Sequence, residues 1–126
     1  MIPAPHDIVI KRGDTFSLFA RARDKVWDAG TGQYIAGPYK DLTGWVGLCQ
    51  LRATEDSATV IATPTIVIGN QVTALGSFFM NMTDAETGAI TALEGVYDIQ
   101  FTTPAAEVYT YVGGIWTLSK DVSRLP

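Results

Sequence analysis

Residues 10–24, IKRGDTFSLFARARD, contain a turn followed by an alternating segment, and together they favour a β fold. Residues 11–14 predict the turn, because glycine permits positive φ and an Asp side chain can bond its own backbone. From Phe16 to Ala22 every second residue is apolar. This alternation predicts a strand with one buried face. Phe19 lies on the opposite face, so we expect it to meet a neighbour or a partner.

Short apolar segments between turn residues recur along the rest of the chain. GWVGLCQLR predicts a strand buried on both faces, and residues 71–82 predict an alternating strand with a bulge at Gly76. Residues 108–122 predict a last hairpin, with Gly113 and Gly114 as its turn or bulge. The one helical signal is the Thr83/Glu86 capping box. The whole pattern predicts an all-β protein, an antiparallel, Ig-like β-sandwich with one short helix.

The length of 126 residues predicts one domain. We expect residues 1–7, which hold two prolines, to form a flexible N-terminal arm, and residues 8–124 to form the sandwich. Residues 24–41 predict an inserted hairpin or long loop within it. A connection of this length in a small domain is often functional. It also carries Trp27, Tyr34 and Tyr39, residue types enriched at interface hot spots.

Basic and acidic residues are unevenly distributed along the chain. Six of the nine Lys and Arg residues lie in the first 40 positions, and none lies within residues 53–119. Phosphate binding needs clustered cations, so we expect no nucleic-acid partner. No apolar run approaches the ~18 residues of a membrane span, which predicts no membrane partner. One basic and one acidic side would suit head-to-tail packing of copies, although an ordinary solvated surface explains the charges equally well.

The sequence offers little catalytic chemistry. With one Cys and one His, the chain cannot form a zinc site of the usual Cys/His spacing. We expect Cys49 to be a buried small hydrophobic residue. Glu55 and Asp56, like Asp84 and Glu86, are carboxylate pairs that a glycosidase or a calcium site would use. A surface turn and the first turn of a helix explain these pairs better. We therefore expect no enzyme, cofactor, metal or small-molecule substrate.

Two features of the sequence are also found in binding proteins: an adhesion tripeptide and aromatic residues beside acidic ones. Residues 12–14 are an Arg-Gly-Asp tripeptide, which adhesion receptors bind, but a turn accounts for it. Exposed aromatic residues beside acidic ones are also typical of sugar-binding surfaces. Trp27, Trp45 and Trp116 are the stacking candidates, although the last two lie in strands where a core position is the simpler interpretation.

Four segments, taken in order, resemble a known layout: IKRGDTFSLFARARD, DLTGWVGLCQLR, EGVYDIQFTT and VYTYVGGIWTLSKDVSR. They are similar to the N-terminal β-sandwich domain of phage baseplate upper proteins and related tail or fibre-attachment domains of tailed phages. In such proteins the RGDT motif marks a turn between strands. The resemblance also leads us to expect that Asp121 and Arg124 pair with turn residues such as Arg12 or Asp14.

The resemblance implies a non-enzymatic structural component of a tailed-phage particle, located in the virion and assembled in the bacterial host cytoplasm. Its partners would be other virion proteins and copies of itself. The chain would act as an adaptor that joins tail, baseplate or fibre parts through protein–protein contacts. A capsid cement or decoration protein and a carbohydrate-binding module for a host glycan are the alternatives. The expected interface residues are Phe19, Arg21, Arg23, Trp27, Tyr34 and Tyr39.

Overall fold

The computed structural model describes residues 4–119, which form ten strands and one short helix. The all-β prediction is confirmed. The first five strands are β1 Ala4–Pro5, β2 Ile8–Lys11, β3 Phe16–Arg21, β4 Arg23–Asp28 and β5 Gln33–Tyr39. They are followed by β6 Val46–Arg52, β7 Thr65–Ile68, β8 Ser77–Met82, helix α1 Asp84–Gly88, β9 Glu94–Thr102 and β10 Val108–Ser119.

The largest sheet is built around β10, which pairs along both of its edges. On one edge β10 is antiparallel to β9, and β9 is antiparallel to β6. On the other edge β1 and β2 run parallel to β10, so the first and last described strands are neighbours. The predicted last hairpin is wrong within these residues, because Gly113 and Gly114 lie inside one continuous strand. The register instead shifts between Thr110 and Val112, ahead of the glycines.

A second sheet has the order β3–β8–β7, and the hairpin β4–β5 forms a third sheet. The chain leaves β3 at the buried Ala22, whose N–H donates to the Gly76 carbonyl at 2.8 Å. Gly76, with φ of 82°, precedes β8, so it is a turn residue and the predicted bulge within a strand is wrong. The predicted strand over residues 71–82 is also too long. Val72 lies in a turn, because Ala74 N–H donates to the Asn70 carbonyl, and its side chain is 95% exposed.

The core contains buried residues from both the five-stranded and the three-stranded sheet. Phe78 of β8 meets Phe101 of β9 edge-on, with ring centroids 5.1 Å apart, and both side chains are fully buried. Cys49 of β6 and Met80 of β8 place their sulfur atoms 3.4 Å apart. Trp116 is fully buried, and Trp45 packs against the core, as the sequence predicts for both.

The N-terminal segment is hydrogen-bonded to β10. His6 N–H donates to the Gly113 carbonyl at 3.0 Å, and Ile115 N–H donates to Asp7 Oδ1 at the same distance. The side chain of Asp7 therefore replaces a strand carbonyl between β1 and β2. Of the predicted arm, residues 4–7 are thus attached to the sheet, which the local sequence pattern could not indicate. Residues 1–3 of the arm lie outside the described residues.

The turn that carries the Arg-Gly-Asp tripeptide is fixed by helix α1. Gly13 has a φ of 86°, and its N–H donates to Thr87 Oγ1 at 3.0 Å. The Thr87 hydroxyl, fully buried, donates in turn to the Asp14 carbonyl at 2.8 Å. The predicted turn and the predicted capping box at Thr83 are both confirmed. The expected partners of this turn, Asp121 and Arg124, lie outside the described residues.

Substitution of Gly95 by Ala tests the closest backbone packing in the large sheet. A Cβ there would lie 2.6 Å from Trp116 Nε1 and closer still to the Arg52 carbonyl, two atoms that already bond each other. We expect Gly95→Ala to lower the free energy of unfolding by about 1–3 kcal/mol, as overpacking does. Urea titration followed by tryptophan fluorescence measures it.

Gly30→Ala is the matched control for this substitution. Its Cβ would meet only Asp28 Oδ1, at 3.4 Å, so we expect a change within about 0.5 kcal/mol. Equal effects of the two substitutions would show that Trp116 and the Arg52 carbonyl do not confine Gly95.

Candidate interaction surfaces

The β4–β5 hairpin is closed by Asp28 at its tip. One carboxylate oxygen of Asp28 accepts from Gly30 N–H at 3.1 Å, and the other accepts from the Thr31 hydroxyl at 3.0 Å. Gly32, with φ of 69°, donates its N–H to the Asp28 carbonyl. These bonds are typical of an Asp-initiated turn followed by glycine. The tip is thus well defined, and the hairpin forms a two-stranded sheet of its own.

Both faces of this ribbon expose apolar side chains. Trp27 and Tyr34 are cross-strand partners with ring centroids 5.2 Å apart, and they are 56% and 58% exposed. The neighbouring pair, Val26 and Ile35, points to the opposite face because side chains alternate along a strand. These two are also exposed, at 44% and 48%. We call these four residues the hairpin surface. An isolated two-stranded hairpin is marginally stable in water, so this ribbon would gain stability from a partner.

Two arginines and one tyrosine meet at the base of the hairpin. The guanidinium carbon of Arg21 lies 3.6 Å from the centre of the Tyr39 ring, and that of Arg23 lies 4.8 Å from it. Arg21 Nε also donates to the Leu75 carbonyl at 2.9 Å, and Arg23 Nε donates to the Gly37 carbonyl at 2.8 Å. The ring and the carbonyls hold both cations in place. The base of the hairpin therefore presents an ordered positive patch.

The six residues expected at an interface do not form one cluster. Arg21, Arg23 and Tyr39 meet at the hairpin base, and Trp27 pairs with Tyr34 further along the hairpin. Phe19 instead contacts Phe79 across β3 and β8, at 5.2 Å between centroids, and is 52% exposed. Local alternation predicted that Phe19 would face outward. Its neighbour Phe79 lies on another strand, so this contact can be recognised only from the tertiary fold.

Sequence reasoning missed a groove on the outer face of the five-stranded sheet. The groove has a volume of about 900 Å³ and crosses β6, β9 and β10. Its apolar lining comes from Leu48, Val96 and Ile115. Its polar lining comes from Gln50, Arg52, Glu55, Asp98, Gln100 and Thr110. We call it the outer groove.

The outer groove exists because β6 is exposed on one face. Leu48 is 48% exposed and Val46 is 67% exposed, so the predicted burial of this strand on both faces is wrong. Cys49 and Leu51 alone follow the expected burial, since they face the core. The alternation of Val96, Asp98 and Gln100 in β9 was the available signal for an outward face at this position.

The lining of the outer groove includes two carboxylates, Asp98 and Glu55. Burial raises the pKa of the Asp98 carboxyl, nearby Arg52 lowers it, and the charge of Glu55 raises it again. Arg52 is occupied by other acceptors, because it donates to the Ser57 carbonyl at 2.5 Å and to Gln50 Oε1 at 2.8 Å. A cationic group entering the groove would therefore find carboxylates that Arg52 only partly neutralises.

The other candidate chemical groups have structural roles. Glu86 accepts the Thr83 N–H in the capping box, and Asp84 Oδ1 accepts from Ala85 N–H in the same helical turn. Cys49 is 1% exposed, and burial, followed by the charge of Asp98, raises the pKa of its thiol to about 12. Over the part of the chain that the structure describes, no three His, Cys, Asp or Glu side chains are grouped to hold a metal ion.

Comparisons with known proteins add no family assignment. No protein-family model matches the chain, and no curated protein sequence matches it. Among residues 4–119, no helix is long and apolar enough to cross a membrane.

The buried thiol makes stability depend on alkaline pH. The folded pKa of Cys49, about 12, lies above its ordinary value of 9.0, so the folded state retains a proton that the unfolded chain loses. The contribution of this thiol to stability is therefore present below pH 9 and is lost as the pH rises from 9 towards 12. We expect the free energy of unfolding, measured by urea titration, to fall between pH 9 and 10.

Cys49→Ala is the control for the thiol. We expect this variant to start from a lower stability at pH 7.5 and to lose less between pH 9 and 10 than the wild type. A smaller loss remains, because burial also raises the pKa values of Tyr97 and Tyr111. An unchanged pH slope in Cys49→Ala would show that the thiol is not the group responsible.

Proposed function

We propose that this chain is a non-enzymatic structural component of a tailed-phage particle, an adaptor that joins tail, baseplate or fibre parts by protein–protein contacts. The motif resemblance supports the phage context. The hairpin surface supports the adaptor role and is the observation that carries it. Trp27 and Tyr34 are more than half exposed on one face of the ribbon, and two aliphatic residues are exposed on the other. Clustered apolar and aromatic exposure of this kind is typical of interaction sites.

We further propose that the two larger sheets form an Ig-like β-sandwich. The order β3–β8–β7 corresponds to strands B, E and D of that fold, and β6–β9–β10 corresponds to C, F and G. The contact between Phe78 and Phe101 supports face-to-face packing of the two sheets. In this arrangement the β4–β5 hairpin extends the connection between strands B and C, which places the hairpin surface at one end of the sandwich.

Carbohydrate binding is the second candidate, because the Trp27–Tyr34 pair would also suit stacking on a sugar ring. The other two tryptophans do not add to such a platform, since Trp116 is fully buried and Trp45 packs among Phe101, Tyr109 and Tyr111. Titration with host glycans separates the candidates. A sugar-binding site at Trp27 would change the tryptophan fluorescence, whereas an adaptor would leave it unchanged.

Immunogold electron microscopy of intact particles from the source lysate tests the virion proposal directly. Gold at the tail tip or at the junction of tail and fibre is the expected result. Regular labelling of the head would replace the adaptor role by capsid decoration. Unlabelled particles, in a preparation where antibody against a coat protein labels, would overturn the virion proposal.

Substitution of Trp27 by Ser tests the role of the hairpin surface. Since Trp27 is 56% exposed, we expect Trp27→Ser to change the free energy of unfolding by less than about 1 kcal/mol. We expect it to reduce incorporation into particles at least about tenfold, as loss of an aromatic hot spot does. Val72→Ser is the matched control, because Val72 is 95% exposed outside the hairpin. Equal incorporation of both variants would contradict the assigned role.

A further inference from the structure

We propose that the β4–β5 hairpin of one copy occupies the outer groove of a second copy, so that copies of this chain associate head to tail. The inference extends the proposed function by naming a partner for the hairpin surface. It depends on three observations: the exposure of the hairpin, the form and lining of the groove, and the opposite charges of the two surfaces.

The hairpin requires a partner that covers both of its faces. Trp27 and Tyr34 are exposed on one face and Val26 and Ile35 on the other, so packing on a flat surface would cover only half of this apolar area. A concave surface can enclose the ribbon from more than one side. The two strands of the hairpin pair only with each other among the described residues.

The outer groove offers a concave surface with exposed apolar residues. Its volume is about 900 Å³, and it runs across three strands. Leu48 and Ile115, about half exposed, are available to aromatic side chains of an entering hairpin. Gly113 and Gly114 of β10 also line the groove, and neither carries a side chain.

The charges of the two surfaces are complementary. The hairpin and its base, residues 21–40, hold the four cations Arg21, Arg23, Lys25 and Lys40 against two carboxylates. One of those carboxylates, Asp24, lies 3.9 Å from Lys40 Nζ. The groove lining holds two carboxylates, Glu55 and Asp98, against Arg52 alone. Opposite net charges of this kind increase the rate and the specificity of association.

The same charges disfavour the two symmetric arrangements. A hairpin-to-hairpin dimer would bring the Arg21, Arg23 and Lys25 cations of two copies together. A groove-to-groove dimer would bring Glu55 and Asp98 of two copies together. Pairing of unlike surfaces avoids both repulsions, and such a heterologous contact generates a ring or an open filament.

Charge reversal on each surface tests the arrangement by sedimentation equilibrium. Lys25 and Glu55 are both exposed, so Lys25→Glu and Glu55→Lys leave the core unchanged. We expect the wild-type chain to show an average mass that rises with concentration. We expect each variant alone to associate about tenfold more weakly, because a charge pair across an interface becomes a repulsion.

Mixing the two variants gives the decisive result. In an equimolar mixture, the reversed hairpin of one variant meets the reversed groove of the other, and the remaining hairpin and groove are both wild type. We therefore expect the mixture to recover wild-type association. Lys11→Glu and Asp14→Lys are the matched controls, since both residues are exposed and lie outside the hairpin and the groove lining. We expect both controls to associate as the wild type does.

Three results would overturn the inference. The inference fails if the wild-type chain stays monomeric at ~0.5 mM, because the affinity between copies would then be weaker than that of typical specific association. Weakening by Lys25→Glu but not by Glu55→Lys would show that the hairpin contacts a surface other than the outer groove. If the control variants weaken association equally, the effect comes from the net charge of the chain and not from the hairpin and the groove. The virion proposal is judged separately, because immunogold labelling of particles does not depend on self-association in solution.

Discussion

Pairing along both edges of β10 is the constraint on which the large sheet depends. Its twelve residues connect β9 on one side with β1 and β2 on the other. Because β2 is parallel to β10, no short turn can join them, and the whole intervening chain forms the connection. Buried residues of this sheet, such as Phe101, then pack against residues of the three-stranded sheet, as the contact of Phe101 with Phe78 shows. The outer groove forms on the opposite face of the same strands.

Local periodicity and turn chemistry predicted the parts of the fold that local forces determine. The alternation in β3 and the Thr83 capping box each depend on residues close in sequence, and the turn at Gly13 begins with the local bond from Asp14 N–H to the Lys11 carbonyl before helix α1 fixes it. The path of β10 through two glycines and the attachment of Asp7 to Ile115 depend on partners that are distant in sequence. In β10, pairing on both edges outweighs the turn preference of glycine. Such long-range hydrogen bonds leave no periodic signal in the sequence.

The candidate surfaces were predictable to different degrees. Exposed aromatic residues in a long connection indicated the hairpin, and the structure shows how Arg21 and Arg23 are ordered on Tyr39. The outer groove was not predicted, because GWVGLCQLR is nearly continuous in apolar residues and gave no sign that Val46 and Leu48 face solvent. An apolar residue on the outside of a sheet can be recognised only when the position of the core is known. The uneven distribution of charge was visible in the sequence. The sequence did not show that the cations lie at the hairpin and two of the carboxylates at the outer groove.

Parallel pairing of β2 with β10 also orders events during synthesis. Ile8 and Ile10 leave the ribosome early, but their partners in residues 116–118 are made more than a hundred residues later. Until then the large sheet lacks its second edge, and the apolar side of β2 stays uncovered. Contacts so distant in sequence slow folding, so newly made chains pass through a period in which they are prone to aggregate. A prematurely terminated chain could not complete this sheet, and translation itself would thereby restrict any assembly to finished subunits.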